Sequence, residues 1–324
     1  MIYDVVTLGE TMLRFTPPAL RRLEQTLEFE LHVGGSESNT AVGLARLGFN
    51  VAWLSRLTNN ALGHVIARTI SSHGIDVSHV VWTPEDRVGL YFLEEGKAPR
   101  GSQVIYDRKD SAMAKMQPND LPVDVFQQGN AKLFHTTGIT LAISKSAKAT
   151  ATKALELAKN AGWRVSFDVN YRSKLWTPKE ARTGCEAFMR QADILFIPLR
   201  DAKIIFELDE GSSPESVLGF LAKRFPKAVI AMTMSAKGAM TFFSGNVYQQ
   251  DAFKAEEVGR LGGGDAFSAG FLYGYLTFND VALALRWGAA VAALKYSITG
   301  DFPLIEKREA EALINQKVST GIVR

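Results

Sequence analysis

Cysteine is almost absent from this chain, because Cys185 is the only one in 324 residues. A lone thiol cannot form an internal disulfide or a cysteine-based zinc site, which excludes a disulfide scaffold. The five histidines show neither H-x-x-x-H nor H-E-x-x-H spacing, so we expect no metal held by the protein itself. The start, MIYDVVTLGE, has no signal-peptide pattern, and we expect the protein in the reducing cytoplasm.

Strong charge and long apolar runs are missing too. The 37 basic and 34 acidic residues leave a formal net charge of +3, which is weak for a protein that coats nucleic-acid phosphates. No stretch reaches the roughly 18–20 consecutive apolar residues of a transmembrane helix. The sequence therefore predicts neither a nucleic-acid partner nor a membrane partner.

Several enzyme signatures are absent as well. The chain has no G-x-x-x-x-G-K-[ST], so it is not a Walker-type P-loop protein, and no G-x-S-x-G, which many serine hydrolases carry. The pattern G-x-G-x-x-G fails in the late glycine run, where Phe267 occupies the last glycine position. A dinucleotide-binding site is therefore not expected there.

Short apolar strands alternate with amphipathic helices along most of the chain. Because the strands are apolar on both faces, the pattern predicts a doubly wound, mostly parallel α/β sheet flanked by helices. The predicted strands are Asp4–Leu8, Asn50–Leu54, Arg164–Val169, Asp193–Ile197 and Ala228–Met232. The predicted helices are Ser38–Leu47, Ala61–His73, Ser146–Asn160, Lys179–Arg190, Pro214–Arg224, Asp265–Leu276 and Val281–Tyr296.

Two segments, about 13–33 and 88–110, break this alternation. Their period-2 character predicts antiparallel ribbons that stand off the main sheet. We interpret them as a small β-lid inserted in a single domain covering 1–324. Surface hairpins without a function are the alternative interpretation.

A run of three glycines, Gly262, Gly263 and Gly264, stands directly before a helix predicted to open at Asp265. Glycine permits close backbone approach, and a helix N-terminus presents free N–H groups with a partial positive charge. Together they predict a phosphate-binding turn. Asp265 itself fits two roles, an ordinary N-cap or a general base that takes a proton from a substrate hydroxyl.

A second glycine motif, Gly34-Gly35-Ser36-Glu37-Ser38-Asn39, runs into the helix that ends at Leu47-Gly48. The two motifs in this order resemble the signatures of the PfkB (ribokinase-like) family of sugar kinases. Those signatures read G-G-x-x-x-N-x-A-x-x-L-x-x-L-G and D-x-x-G-A-G-D-x-F, and here Gly263 replaces the usual alanine. The resemblance covers nearly the whole chain and implies a ribokinase-like fold.

Finer motifs are similar to those of the 2-keto-3-deoxygluconate kinases in that family. They are Gly9-Glu10 with Met12-Leu13-Arg14, Gly89 to Glu94, Tyr106-Asp107-Arg108, Asp168-Val169-Asn170-Tyr171-Arg172 and Gly300-Asp301-Phe302. The similarity implies transfer of the γ-phosphoryl group of ATP to the 6-hydroxyl of 2-keto-3-deoxy-D-gluconate. It further implies Mg²⁺ carried by the nucleotide, and a homo-oligomer.

The resemblance also implies roles for single residues. Asp265 would be the base, and Gly262, Gly263 and Gly264 would form an anion hole. The acceptor would be held by Gly34, Gly35, Asn39, Tyr91, Tyr106, Arg108 and Arg172. Thr233, Ser235 and Gly238 would lie by the nucleotide, together with Gly262 and Gly264. A planar guanidinium suits a substrate carboxylate, although both arginines fit surface charges and both tyrosines fit ordinary strand positions.

Four further positions depart from the family pattern. Gly259 stands where the family usually has an aspartate that organises a monovalent-cation loop, which puts potassium activation in doubt. Pro198 and Asp201 stand in the place of an N-x-x-E motif, and Ser235 in that of a frequent glycine. Two other functions therefore stay open: a kinase for a neutral sugar such as fructose or ribose, and a non-catalytic sugar- or nucleotide-binding homologue.

Overall fold

The strands and helices alternate along the chain as the sequence predicts. A computed structural model describes residues 2–316. Its strands are β1 (Tyr3–Leu8), β2 (Met12–Thr16), β3 (Glu30–Gly34), β4 (Val51–Leu54), β5 (Arg56–Thr58), β6 (Val81–Thr83), β7 (Leu90–Glu94), β8 (Gln103–Asp107), β9 (Ala131–Thr137), β10 (Arg164–Asp168), β11 (Ile194–Phe196), β12 (Val229–Thr233), β13 (Ala239–Phe243) and β14 (Asn246–Gln250). Its helices are α1 (Ser36–Arg46), α2 (Ala61–Ser71), α3 (Gly138–Ile143), α4 (Lys145–Asn160), α5 (Pro178–Gln191), α6 (Leu199–Ile205), α7 (Pro214–Arg224), α8 (Gly263–Phe278), α9 (Val281–Tyr296) and α10 (Lys307–Ile314).

The main sheet has the strand order β14-β13-β12-β11-β10-β9-β1-β4. The run from β12 to β4 is parallel, and β13 and β14 add an antiparallel hairpin at one edge. Two hydrophobic clusters cover the sheet, one on each face. This confirms the predicted doubly wound α/β fold, in which ligands bind beyond the carboxyl ends of the strands.

A second sheet, here called the lid sheet, has the order β3-β2-β7-β8. Each predicted ribbon is antiparallel, and the two ribbons are joined by parallel pairing of β2 with β7. The register aligns one row across the sheet on each face, because side chains alternate along a strand. One row is His32, Arg14, Tyr91 and Tyr106, and the neighbouring row is Leu31, Phe15, Phe92 and Ile105.

Helix α8 begins at Gly263, two residues before the predicted start. Gly262 is the N-cap, with a left-handed φ of 74°. Asp265 therefore lies inside the first turn, and its interpretation as an ordinary N-cap is wrong. The left-handed cap explains the glycine, because a side chain there would be strained.

Some elements are not in the prediction. The central strand β9 was missed because its second half, His135-Thr136-Thr137, is polar although fully buried. The hairpin β13–β14 and the helices α3, α6 and α10 were also not predicted. None of the helices within residues 2–316 is long and apolar enough to cross a bilayer.

Candidate active site

The N-terminus of α8 lies between two clefts. One, here called the lid cleft, has a volume of about 310 Å³ and opens between the lid sheet and Asp265. The other, here called the helix cleft, has a volume of about 240 Å³ and is lined by α8, α9 and the turn after β12. Of the residues assigned to the acceptor, all line the lid cleft: Gly34, Gly35, Asn39, Tyr91, Tyr106, Arg108, Arg172 and Asp265.

Asp265 is buried and oriented by two side chains from α1. Ser36 Oγ donates to its Oδ1 at 2.6 Å, and Asn39 Nδ2 donates to its Oδ2 at 2.7 Å. Burial raises the pKa of Asp265 above its usual value, while these two hydrogen bonds and the positive charge of Arg172 oppose the rise. A carboxylate oxygen can accept two hydrogen bonds, so Asp265 keeps acceptor capacity for a ligand.

A second buried acid stands behind this pair. Asn170 Nδ2 donates to Ser36 Oγ at 2.8 Å, and the backbone N–H of Asn170 donates to Asp168 Oδ1 at 3.0 Å. Burial raises the pKa of Asp168 to about 8, and the negative charge of Asp265 adds to the rise. A continuous chain of polar contacts therefore leads from Asp168 to the carboxylate of Asp265.

The arginines of the lid cleft differ in how they are held. Arg108 is mostly buried, and its Nε and Nη2 both donate to Glu10 Oε2, the first at 2.8 Å. Ser111 also donates to Glu10. The interpretation of Arg108 as a solvated surface charge is therefore wrong. Arg172 is exposed at the mouth of the cleft, and its Nη1 donates to the carbonyl of Tyr171 at 3.1 Å.

The two predicted tyrosines occupy different environments. Tyr91 is buried, and its hydroxyl donates to Asp301 Oδ1 at 2.5 Å, while Arg14 Nε lies 2.8 Å from Asp301 Oδ2. Tyr106 is partly exposed, and the charged groups of Arg108 and Lys174 each lie 5.8 Å from its ring centroid. Of these two tyrosines, which both line the cleft, Tyr106 is the more exposed.

Neighbouring atoms leave no room for a side chain at two positions of the glycine turn. A Cβ on Gly262 would lie 2.0 Å from the carbonyl oxygen of Asp301, and one on Gly263 would lie 2.8 Å from the Tyr296 hydroxyl oxygen. A Cβ on Gly264 would meet nothing within 4 Å. Gly262 and Gly263 are therefore needed for packing, whereas Gly264 leaves free space beside the N–H groups of the first turn.

The helix cleft contains the residues assigned to the nucleotide. It is lined by Thr233, Ser235 and Gly238 together with Gly263 and Gly264, and otherwise mostly by small or apolar side chains. Gly262 lines the lid cleft instead. Pro198 lines the helix cleft, and Asp201 Oδ2 accepts a hydrogen bond from the Tyr171 N–H at 3.1 Å.

Metal-ligand chemistry is sparse. Within residues 2–316, no three His, Cys, Asp or Glu side chains are grouped so that they could hold a metal ion. Mg²⁺ ligation would therefore have to come largely from a bound nucleotide and water, as is usual for this ion.

Four residues of the site were not assigned roles from sequence: Glu10, Ser36, Asn170 and Asp301. All four lie inside motifs that carried the family resemblance. Their partners are distant in sequence, as Ser36 and Asp265 are 229 positions apart. The motif positions were the available signal, and the contacts themselves had no local signature.

Comparison with known proteins defines the class. A model of the "pfkB family carbohydrate kinase" group matches residues 3–307. The chain belongs to this family, as its two glycine motifs predicted, and it is an ATP-dependent carbohydrate kinase.

Individual relatives are similar over nearly their whole lengths. A 2-dehydro-3-deoxygalactonokinase of Haloferax volcanii is 38% identical over 314 residues, which cover 97% of both chains. A 2-dehydro-3-deoxygluconokinase of Thermoproteus tenax is 31% identical over 96% of this chain and 94% of its own. The crystal structure of 2-dehydro-3-deoxygluconokinase from Thermotoga maritima has a TM-score of 0.90 at 30% identity and covers 97% of this chain and 99% of that one. The predicted ribokinase-like fold is confirmed.

Proposed function

We propose that the protein transfers the γ-phosphoryl group of Mg-ATP to the 6-hydroxyl of 2-keto-3-deoxy-D-gluconate. One observation carries the proposal. The buried, oriented carboxylate of Asp265 lies at the N-terminus of α8, where the lid cleft and the helix cleft adjoin. An acceptor in the first cleft and a nucleotide in the second would bring hydroxyl, carboxylate and phosphate together.

The proposed step needs one base and one anion site. Asp265 accepts the proton of the 6-hydroxyl, the hydroxyl oxygen forms a bond to the γ-phosphorus, and the bond to the ADP oxygen breaks. The N–H groups at Gly262, Gly263 and Gly264 hold the charge of the transferring group. Mg²⁺ arrives on the nucleotide and neutralises phosphate charge.

The sugar acid brings a carboxylate that needs a cationic partner. Arg172 lies at the cleft mouth and forms no ion pair with a carboxylate among residues 2–316, and Lys174 stands beside it near Tyr106. Arg108 is already bound to Glu10, so it contributes shape and a weaker residual charge. We assign the carboxylate to Arg172, because a guanidinium can bind it with two parallel hydrogen bonds.

A coupled ADP-release assay on an acceptor panel tests the substrate. The panel contains 2-keto-3-deoxygluconate, its galactonate epimer, fructose and ribose. We expect kcat/KM for the gluconate compound to exceed that for either neutral sugar by about 100-fold or more, equal to ~2.7 kcal/mol of transition-state binding. Equal or better use of the galactonate epimer would correct the stereochemistry, and a preference for a neutral sugar would contradict the proposal.

The ion pair between Glu10 and Arg108 favours a second candidate, a kinase for a neutral sugar. An arginine that is already neutralised is not needed for a substrate carboxylate. Arg172→Ala separates the two functions. For a sugar acid we expect the acceptor KM to rise about 10- to 100-fold, since a charge-assisted hydrogen bond contributes roughly 1.5–3 kcal/mol. For a neutral sugar the KM would change little.

We also propose that a second copy of the chain covers the outer face of the lid sheet. Phe15 and Phe92 stack there with ring centroids 5.4 Å apart, and Leu31 and Ile105 extend the row at either side. Both of these outer side chains are about half exposed. A contiguous apolar face of this kind is costly in water. Light scattering on the wild type and on Ile105→Lys measures the assembly, and a monomeric wild type would refute it.

A further inference from the structure

Lys295 is a buried cation that the proposed step does not use. It is the penultimate residue of α9, and none of its surface is exposed. Its Nζ donates to the carbonyl of Ile298 at 2.9 Å, and no ion pair joins it to a carboxylate among residues 2–316. Lysine is almost never fully buried without a charged partner, because removing an ammonium group from water costs several kcal/mol.

Lys295 is hydrogen-bonded to the loop 296–301, which packs against the glycine turn. The carbonyl of Tyr296 accepts from the N–H groups of Val258 and Gly259 at 2.8 Å and 3.2 Å. A Cβ on Gly259 would lie 3.2 Å from the carbonyl oxygen of Ile298, the acceptor of the lysine. Further along the loop, the carbonyl of Asp301 packs against Gly262. The segment 296–301 therefore supports the turn along its whole length.

Burial and the negatively charged groups around Lys295 act on its pKa in opposite directions. Burial lowers its pKa, while the negative charges of Asp301 and Asp265 act to raise it. The positive charge of Arg14 also acts to lower the pKa of Lys295, although Arg14 is itself paired with Asp301. Lys295 is therefore a buried positive charge next to the loop that supports the glycine turn, and it has no carboxylate partner within residues 2–316.

A bound monovalent cation does not fit this arrangement. The side chain of Gly259, which replaces the aspartate of the family pattern, is a hydrogen and supplies no carboxylate to a cation. The carbonyl of Ile298 next to it already accepts from the ammonium group. A second cation at this carbonyl would be repelled by the lysine, since like charges a few ångströms apart in a buried site interact strongly.

We infer that Lys295 is the built-in cation of the anion hole. Its ammonium group fixes the loop 296–301, holds the turn of Gly262 to Gly264 in its phosphate-binding form, and makes the enzyme independent of added monovalent cations. Lys295 is a positioning residue, since it acts through the loop and does not touch the reacting atoms. The inference rests on the proposed function, in that the glycine turn is taken as the phosphate site.

The first test is a cation titration of the wild-type enzyme. The assay uses the Tris salt of ATP, with choline chloride keeping the ionic strength constant while KCl, NaCl or NH₄Cl is added. We expect kcat to change by less than about twofold, which is below ~0.5 kcal/mol of barrier. An activation of about fivefold or more by potassium would overturn the inference.

Variants test the lysine itself. In Lys295→Met we expect kcat to fall about tenfold, with a smaller change in the KM for ATP, because the turn acts mainly on the charge of the transition state. In Lys295→Ala, ammonium or methylammonium should restore about fivefold of the lost kcat, whereas choline should not. A merely structural lysine would give no such rescue, and a folded Lys295→Met with unchanged kcat would overturn the inference.

The matched control is Lys159→Met. Lys159 is likewise the penultimate residue of a 16-residue helix, α4, but it is exposed and pairs with Asp193 at the surface. We expect unchanged kcat and no response to ammonium. If neither Lys295 variant folds, the wild-type titration decides alone.

The acceptor assignment and the inference about Lys295 can fail independently, and different measurements show which one has failed. It would appear as no turnover of 2-keto-3-deoxygluconate. The response to potassium is measured with whichever acceptor is used, and also as ATP affinity by calorimetry without any acceptor. Potassium-dependent ATP binding would overturn the inference about Lys295 and leave the acceptor assignment untouched.

Discussion

The two clefts beside the N-terminus of α8 are lined by different kinds of residue. The lid cleft is lined by charged and hydrogen-bonded side chains, including the pair of Arg108 with Glu10 and the pair of Tyr91 with Asp301, which Arg14 holds from behind. The helix cleft is lined mostly by glycine, alanine and a few hydroxyl groups. Directional polar groups discriminate between similar ligands, whereas a small-residue cleft accepts a ligand by shape and backbone contact. Under the proposed function, we therefore expect the lid cleft to select the acceptor.

Asp265→Asn is expected to produce the largest effect. The variant keeps the size of the side chain but removes the base, so kcat should fall by about 10²–10⁴-fold, the usual contribution of a well-placed base. ATP affinity should be nearly unchanged, because the helix cleft is intact. Calorimetry for ATP beside steady-state kinetics measures both, and a variant with full turnover would refute the role of Asp265.

Gly262→Ala and Gly264→Ala form a matched pair that sharpens the comparison. A Cβ at 262 would clash with the Asp301 carbonyl at a left-handed φ, whereas a Cβ at 264 has open space. We expect Gly262→Ala to lose about 100-fold in kcat, comparable to removal of one oxyanion-hole donor, and to unfold at a lower temperature. Gly264→Ala should fold normally and raise mainly the KM for ATP. Equal effects of the two changes would contradict the assigned geometry.

Asp168→Asn tests the buried acid behind the lid cleft. Because its pKa is raised from 3.8 to about 8, the folded protein retains a proton that the unfolded chain releases. Wild-type stability should therefore decline as pH rises between about 4 and 8. Glu37, whose pKa burial raises to about 7, contributes to the decline in the same direction.

The asparagine variant should lose less stability across that range. A difference of about 2 °C or more in the Tm change is expected, since ~1 kcal/mol moves the Tm of larger domains by roughly that much. Thermal melts at several pH values measure it, with Glu210→Gln at an exposed position as the control. Parallel curves for wild type and Asp168→Asn would contradict the raised pKa.

Ser235→Gly is the smallest expected change and belongs to the helix cleft. Ser235 adopts a left-handed φ of 54°, which glycine adopts without strain. Relief of strain is partly offset by the greater freedom of glycine in the unfolded chain, so stability should change by at most ~1 kcal/mol. The KM for ATP should stay within about twofold. A large rise in this KM would mean that the hydroxyl of Ser235 binds the nucleotide.

The sequence predicted the parts of the fold that have a local cause. Apolar runs and caps located most parallel strands and the long helices, and alternation located the lid segments. The strand β9 was not predicted, because its buried threonines are polar residues that form hydrogen bonds to distant parts of the chain. Thr137, the last residue of β9, and Thr140 in the following helix α3 donate to Glu37 Oε1 at 2.8 Å and 2.7 Å.

The site was predictable as a set of residues but not as a set of contacts. The two glycine motifs indicated Asp265 and its neighbours, and the residues assigned to the acceptor all line one cleft. The pairing of Arg108 with Glu10 and the burial of Lys295 depend on chain segments far apart in sequence. No periodicity or spacing encodes such pairs, because they arise only when the elements pack.

The most direct test of the central claim is a crystal structure with 2-keto-3-deoxygluconate and a non-hydrolysable ATP analogue bound together. The predicted result is the 6-hydroxyl in the lid cleft within about 3.2 Å of an Asp265 carboxylate oxygen, with the γ-phosphate at the N-terminus of α8. An acceptor hydroxyl held elsewhere, with the Asp265 carboxylate turned toward Ser36 and Asn39 alone, would contradict the account.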